Sequence, residues 1–225
     1  MPIIENISFE NEFFSGLDEN NLYLIRKKLE KKKFSAGEIV IWEGDISQEM
    51  YFIKEGWLKV IKSSEAGREI ILHLLGPNDM FNALAAFVKF DNPATVISLE
   101  NSILFCLSYE NMAVLLEQHP VFSRQLLEKL AMRLHKLTGL IGNLSLRTVE
   151  ARLAELLLKE AEENIFVRQK WLTQTEMAAL LGTVPDVLNR ILNNFVEMGF
   201  IEFDRYQIKI INRKKIEEKA GFMEI

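Results

Sequence analysis

Cysteine is almost missing from this chain: Cys106 is the one example among 225 residues. A single thiol excludes an intramolecular disulfide, and it excludes a zinc or iron–sulfur centre built from the cysteines of one chain. It also suits a reducing cytoplasm. Histidine is scarce too. His73, His119 and His135 are the three examples, and none forms a close pair in sequence. No apolar run reaches the roughly 18 residues that a membrane-spanning helix requires. The opening stretch MPIIENISFENEFF turns acidic early and lacks the basic start and apolar centre of a signal peptide. Positive charge is in deficit: the net charge is -5, so any nucleic-acid binding must come from a local patch. A nucleophile–base pair, a metal-ligand cluster and a phosphate-cradling glycine loop are all missing, which argues against an enzyme.

What is present is ordinary globular material, 48% apolar and 26% charged, long enough for one large domain or two modest ones. Residues Asn11 to Lys33 read as helical, with Leu17, Leu22, Ile25 and Leu29 recurring and the basic run RKKLEKKK closing the segment. That run reads as a solvated helix end, where lysines suit the negative dipole; a nucleic-acid patch is the rival reading. From Phe34 to Leu107 short β-rich runs follow one another: EIVIWE, EMYFIKEG, WLKVIKS, EIILHLL, ATVISL and SILFCLS. Glycine-containing turns separate most of them, the texture of an antiparallel sandwich or barrel. Tyr109 to about Gly142 is helical again, and Pro120 divides it into a short helix and a long one. In the long helix Leu127, Leu130, Leu134, Leu137, Ile141 and Leu144 follow a 3-4-3-4-3 spacing. A 3.5-residue period keeps one stripe facing a partner helix, so this predicts a homodimer seam; packing on the helix's own domain is the alternative. Gly139 and Gly142 weaken the end of that helix and mark a candidate hinge running to Arg147.

The remainder is α-rich with a small β tail. RTVEARLAELLLKEAEE is an amphipathic helix. TQTEMAALLG is a second, with Thr173 as N-cap and Glu176 three residues on. A third starts in LGTVPDVLNRIL, and GFIEFDRYQIKII reads as a hairpin with Asp204 and Arg205 at its tip. Helix, turn, helix, hairpin is the plan of a winged helix-turn-helix. In the third helix Thr183 is the expected N-cap, Pro185 falls at N2 and Asp186 at N3. Leu188, Ile191, Leu192 and Phe195 form its buried stripe. Asp186, Asn189, Arg190 and Asn193 share the other side. Those groups match base edges in a major groove: arginine for guanine, asparagine for adenine, carboxylate for cytosine. The plainer reading is an exposed polar face with an Asp186–Arg190 pair one turn apart. Lys170, Thr173, Thr183 and Arg205 are the further candidate DNA contacts, Lys170, Thr173 and Arg205 to phosphate.

Taken together these segments resemble the CRP/FNR superfamily of bacterial transcription regulators over almost the whole length. AGEIVIWEGD, MYFIKEGWLKV and GREIILHLLGPNDMF are similar to its cyclic-nucleotide-binding β-roll, the leucine-seamed helix to its dimerisation helix, and LTQTEMAALLGTVPDVLNRILNNFVEMGFI to its helix-turn-helix. The resemblance implies an α+β chain: a β-roll sensor with an N-terminal helix (1–108), a short helix plus a long dimerisation helix (109–144), and a winged helix-turn-helix (145–225). It implies a cytoplasmic homodimer on a double-stranded DNA operator, able to contact RNA polymerase, with no membrane association. Cyclic-AMP binders of the family carry Gly-Glu-Leu after the phenylalanine of one turn and Arg-Ser some ten residues later. Here those sites read Phe81-Asn82-Ala83-Leu84 and Pro93-Ala94-Thr95. Phe81, Asn82, Ala83, Leu84 and Thr95 are therefore the expected effector-pocket residues. Without the glutamate and arginine, cyclic AMP is not expected to bind in the family manner.

An FNR-type iron–sulfur cluster is not expected from Cys106 alone, which reads as an inert core thiol in ILFCLS. Pro185-Asp186-Val187-Leu188-Asn189-Arg190 and KLAMRLHKLTGLIGNLSLRT look like the nitric-oxide-responsive and anaerobic branch. That branch leaves haem open as an effector, since haem needs one or two axial ligands. The second functional reading is accordingly a haem or small-molecule sensor acting mainly through protein contacts.

Overall fold

The computed structural model describes residues 19–83 and 91–221. The chain divides into two compact units, one of residues 1–60 with 74–136, the other of 61–73 with 137–225. The expected helical residues 11–18, and Leu84 of the expected pocket, lie outside the described residues.

In the first unit, helix α1 spans Glu19–Lys28, with its one acid at the start and Arg26, Lys27 and Lys28 in the last turn, as the helix dipole favours. The helix does not continue to Lys33 as the sequence suggested. Glu30–Phe34 is strand β1, antiparallel to β8 (Ser102–Ser108) from Glu30↔Cys106 to Phe34↔Ser102. The basic run is thus split between a helix end and a strand. The strand lies at the edge of its sheet, where lysines discourage further pairing.

The six runs read as strands from the sequence are strands: β2 (Ile39–Ile41), β3 (Glu49–Glu55), β4 (Leu58–Ser63), β5 (Glu69–Leu75), β7 (Thr95–Ser98) and β8, with a two-residue β6 (Met80–Phe81) between. They form two four-stranded sheets of order β1-β8-β3-β6 and β2-β7-β4-β5. Gly56 joins β3 to β4 at φ 92°, and a Cβ there would sit 2.8 Å from the backbone of Ser102, so only glycine fits. One face of the first sheet buries Met50, Phe52, Phe105 and Leu107 against Met112 and Leu115 of α2 (Tyr109–Gln118) and Phe122 and Leu126 of α3 (Pro120–Leu146). Each fully buried side chain of this size contributes roughly 1.5–3 kcal/mol relative to exposure.

Pro120 opens α3, as the sequence implied, and the helix runs through Gly139 and Gly142 without a break. Along it Leu127, Leu134 and Ile141 are 64%, 67% and 66% exposed, whereas Leu130, Leu137 and Leu144 are half-buried. The stripe is thus two-sided, with one edge turned to its own chain and one edge exposed.

In the second unit, α4 (Val149–Glu160) is capped by Thr148, whose hydroxyl accepts from the Ala151 N–H. α5 (Gln174–Leu180), α6 (Pro185–Glu197) and the hairpin β10 (Ile201–Phe203) and β11 (Gln207–Ile210) follow as expected. Two further elements complete the unit: β9 (Ile165–Val167), paired with β11, and α7 (Arg213–Ala220), packed on α4. One core joins them through Leu153, Leu157, Met177, Leu188, Leu192, Phe195, Ile208 and Ile216.

Candidate nucleic-acid interface and effector site

α6 begins one residue later than the capping rule suggested. Val184 is its N-cap with no side-chain cap bond, and Pro185 opens the helix. This corrects the expected role of Thr183, which is 7% exposed with its N–H bonded to the Ala178 carbonyl. A side chain tucked inward there cannot swing out to cap, and it is not offered to a groove.

Leu188, Ile191, Leu192 and Phe195 are buried, as the helical spacing required. Asp186, Arg190 and Asn193 are exposed and Asn189 is half-buried. These four line one groove with Asn194 and Glu197 of α6 and Thr148, Val149 and Glu150 at the start of α4. The Asp186–Arg190 pair of the plainer reading does not form among the described residues. Asn194 could have been read from its place one turn after Arg190. The α4 contribution needs the tertiary fold, because some 40 residues separate it from α6 in sequence.

Thr173 caps α5, accepting from the Glu176 N–H at 3.3 Å, and is exposed beside the exposed Lys170. Arg205 stands at the β10–β11 tip with its guanidinium 5.9 Å from the Tyr206 ring, and Tyr206 is 68% exposed. Asp204 is exposed and closes the turn: its carboxylate accepts from the Tyr206 and Gln207 N–H groups, which hold its pKa below the usual value.

The four described residues of the expected effector pocket are already engaged by their own chain. Phe81 is buried and stacks on Tyr51, ring centroids 4.9 Å apart. Asn82, at φ 61°, donates its amide to the Glu49 carbonyl at 2.8 Å. Ala83 is buried in the core under α2 and α3. Thr95 is buried and its hydroxyl accepts from the Glu43 N–H at 3.0 Å.

Sequence reasoning missed a polar cluster on this sheet. Lys32 Nζ donates to both carboxylate oxygens of Glu49 at 2.8 Å, and the Tyr51 hydroxyl donates to Glu49 at 2.7 Å. Burial alone would lower the Lys32 ammonium and raise the Glu49 carboxyl. Their hydrogen bonds and opposite charges outweigh it, so Lys32 is held above 10.5 and Glu49 below 4.5. Burial first, then the Glu49 hydrogen bond and charge, push the Tyr51 phenol up. Cys106 lies opposite Tyr51, and burial pushes its thiol up to about 12, in keeping with the inert thiol expected of it.

The depressed Glu49 value means its contribution to stability is present above about pH 4.5 and is lost as pH falls through the folded value. Glu49→Gln should therefore cost about 1–2 kcal/mol near neutrality, and the gap to wild type should narrow as pH falls below 4.5. Thermal melts at several pH values check this; a pH-independent gap would contradict it.

His73 is in β5, His119 ends α2 and His135 is exposed on α3. Among the described residues no group of three or more His, Cys, Asp or Glu could hold a metal ion, and no helix is long and apolar enough to cross a membrane.

Comparison with known proteins gives this geometry a family. Residues 31–119 match the Cyclic nucleotide-binding domain and residues 151–219 the Crp-like helix-turn-helix domain. A CRP-like cAMP-activated global transcriptional regulator of Mycobacterium tuberculosis is 26% identical over 215 residues, covering 92% of this chain and 95% of that protein. Among solved structures, a crp/fnr-family regulator from Eubacterium rectale superposes with a TM-score of 0.74 at 22% identity, covering 93% and 98% of the two chains. A c-di-GMP responsive global regulator from Xanthomonas campestris does so with a TM-score of 0.74 at 16% identity, covering 86% and 99%. These relatives are regulators, and two of their names carry different nucleotides, so the likeness does not name an effector. With a β-roll of the cyclic-nucleotide-binding type followed by a Crp-like helix-turn-helix, the chain belongs to the CRP/FNR family of DNA-binding transcription regulators.

Proposed function

We propose that the protein works in the cytoplasm as a homodimeric, sequence-specific regulator whose two α6 helices enter successive major grooves of a pseudo-palindromic operator, about 34 Å apart. One observation carries this reading. Asp186, Asn189, Arg190 and Asn193 share one face of α6 and none has a side-chain partner among the described residues. Polar side chains held on a rigid helix with no internal partner are free to bond base edges without first breaking a contact. Lys170, Thr173 and Arg205 would touch phosphates and fix the register. The exposure of Leu127 and Ile141 along one edge of α3 supports pairing of two copies. The β-roll does not take cyclic AMP in the family manner. Ala83 stands where the family's glutamate would be and Pro93-Ala94-Thr95 supplies no arginine, while the side chains of Asn82 and Thr95 beside them bond the protein's own backbone.

Selection from random duplexes tests the DNA reading: enrichment of a two-fold-related sequence with half-sites one helical turn apart is expected. No enrichment would favour a sensor acting through protein contacts. For the effector, calorimetric titration with cyclic AMP should give no binding at concentrations that saturate a cyclic-AMP-activated relative. Tight binding would mean that other side chains replace the missing arginine.

A further inference from the structure

At the join between α3 and the helix-turn-helix, one guanidinium gathers four main-chain carbonyls. Arg152 of α4 donates through Nη1 to the carbonyls of Asn143, Leu144 and Arg147, at 3.2, 3.4 and 2.9 Å. The Asn143 carbonyl also accepts from the Arg147 N–H at 3.2 Å, whereas those of Leu144 and Arg147 lie at and just beyond the end of α3, where the helix supplies no further N–H. The same side chain donates through Nε to the Leu181 carbonyl at 3.0 Å, in the turn between α5 and α6. In that turn Gly182 has φ 62°, and a Cβ there would come within 2.5 Å of Leu144 Cδ2. The α5–α6 turn is therefore seated directly on the last turns of α3. Arg147 adds a second tie, pairing with Glu155 of α4 and donating to the Ala220 carbonyl at the end of α7.

The sequence suggested a loose hinge over residues 142–147, but those residues are held from two sides. Arginine suits the task because its fork of five N–H groups keeps fixed directions, whereas a lysine ammonium is a single point on a flexible stem.

We propose that Arg152 is a positioning residue for operator spacing: by locking the α5–α6 turn to the end of α3, it sets the direction in which α6 leaves the dimer helix. This rests on the dimeric reading above. Two half-sites are met at once only if both α6 helices have the right separation and rotation. One base pair of added spacer shifts a half-site by about 3.4 Å and 35°. A rigid join rejects that shift, and a loosened one tolerates it.

The test uses the full-length dimer, the selected operator, and operators with the spacer changed by one or two base pairs. Wild type should lose about tenfold or more in affinity per base pair of misfit, because simultaneous engagement fails. For Arg152→Lys, operators one base pair off should bind within about threefold of the best one, while discrimination among base substitutions inside a half-site is retained. Arg147→Gln, which leaves the Arg152 contacts in place, should flatten the profile in the same sense and serves if Arg152→Lys fails to fold. An unchanged spacing profile in the folded variants, or an equal loss at every spacing, overturns the proposal. A wild-type protein indifferent to spacing would instead overturn the two-half-site reading beneath it.

Discussion

Replacing Arg190 by alanine should lower affinity for the selected operator by about ten- to a hundredfold, the roughly 1–3 kcal/mol that a two-pronged arginine–guanine contact supplies. The loss should concentrate at one base pair of each half-site: operators substituted there should bind wild type and variant alike. The fold should be untouched, because Arg190 is exposed on α6 and takes no part in the Leu188, Leu192 and Phe195 core. Asp186 does not brace it in the free protein, so any orienting role for that carboxylate begins only on DNA. Lys170→Ala makes the contrasting case, with a loss of similar size on every sequence and a smaller salt dependence. Anisotropy titrations against single-substituted operators separate the two patterns. Undiminished discrimination by Arg190→Ala would mean that another face of α6 reads the bases.

The second large effect concerns α3. Leu127 and Ile141 lie two heptads apart on its exposed edge, while Phe122 and Leu126 are buried within the protomer. Leu127→Glu with Ile141→Glu should place charges in the seam and leave the protomer core intact. Sedimentation should then report monomers, with thermal unfolding still cooperative. Operator affinity should fall by about a hundredfold or more, since each half-site must then be bound without the second to hold it nearby. A double variant that stays dimeric would place the interface elsewhere.

Much of this was legible in the sequence because local signals agreed with the fold. The strand runs between glycine turns, the Pro120 break and the Thr173 cap all sit where short-range rules put them. The misses have physical causes. β1 is written in lysines, and its alternation is polar on both faces, so a helix with a basic end looked equally good. β9 has three residues and α7 is highly charged, too short or too polar to stand out before the core they cover is known. Thr183 has the right chemistry for a cap, but burial of its side chain passed the N-cap to Val184. The Lys32–Glu49 pair and the Arg152 carbonyl cluster join residues 17 and up to 29 positions apart, which no local spacing reveals.

The central claim is that two protomers, joined along α3, grip one operator with two α6 helices. Native mass spectrometry of the protein on the selected duplex tests it most directly. Two protomers per duplex at every protein concentration, with no appreciable one-to-one species, is the predicted result. A stable complex of one protomer per duplex that protects a full-length operator would contradict it.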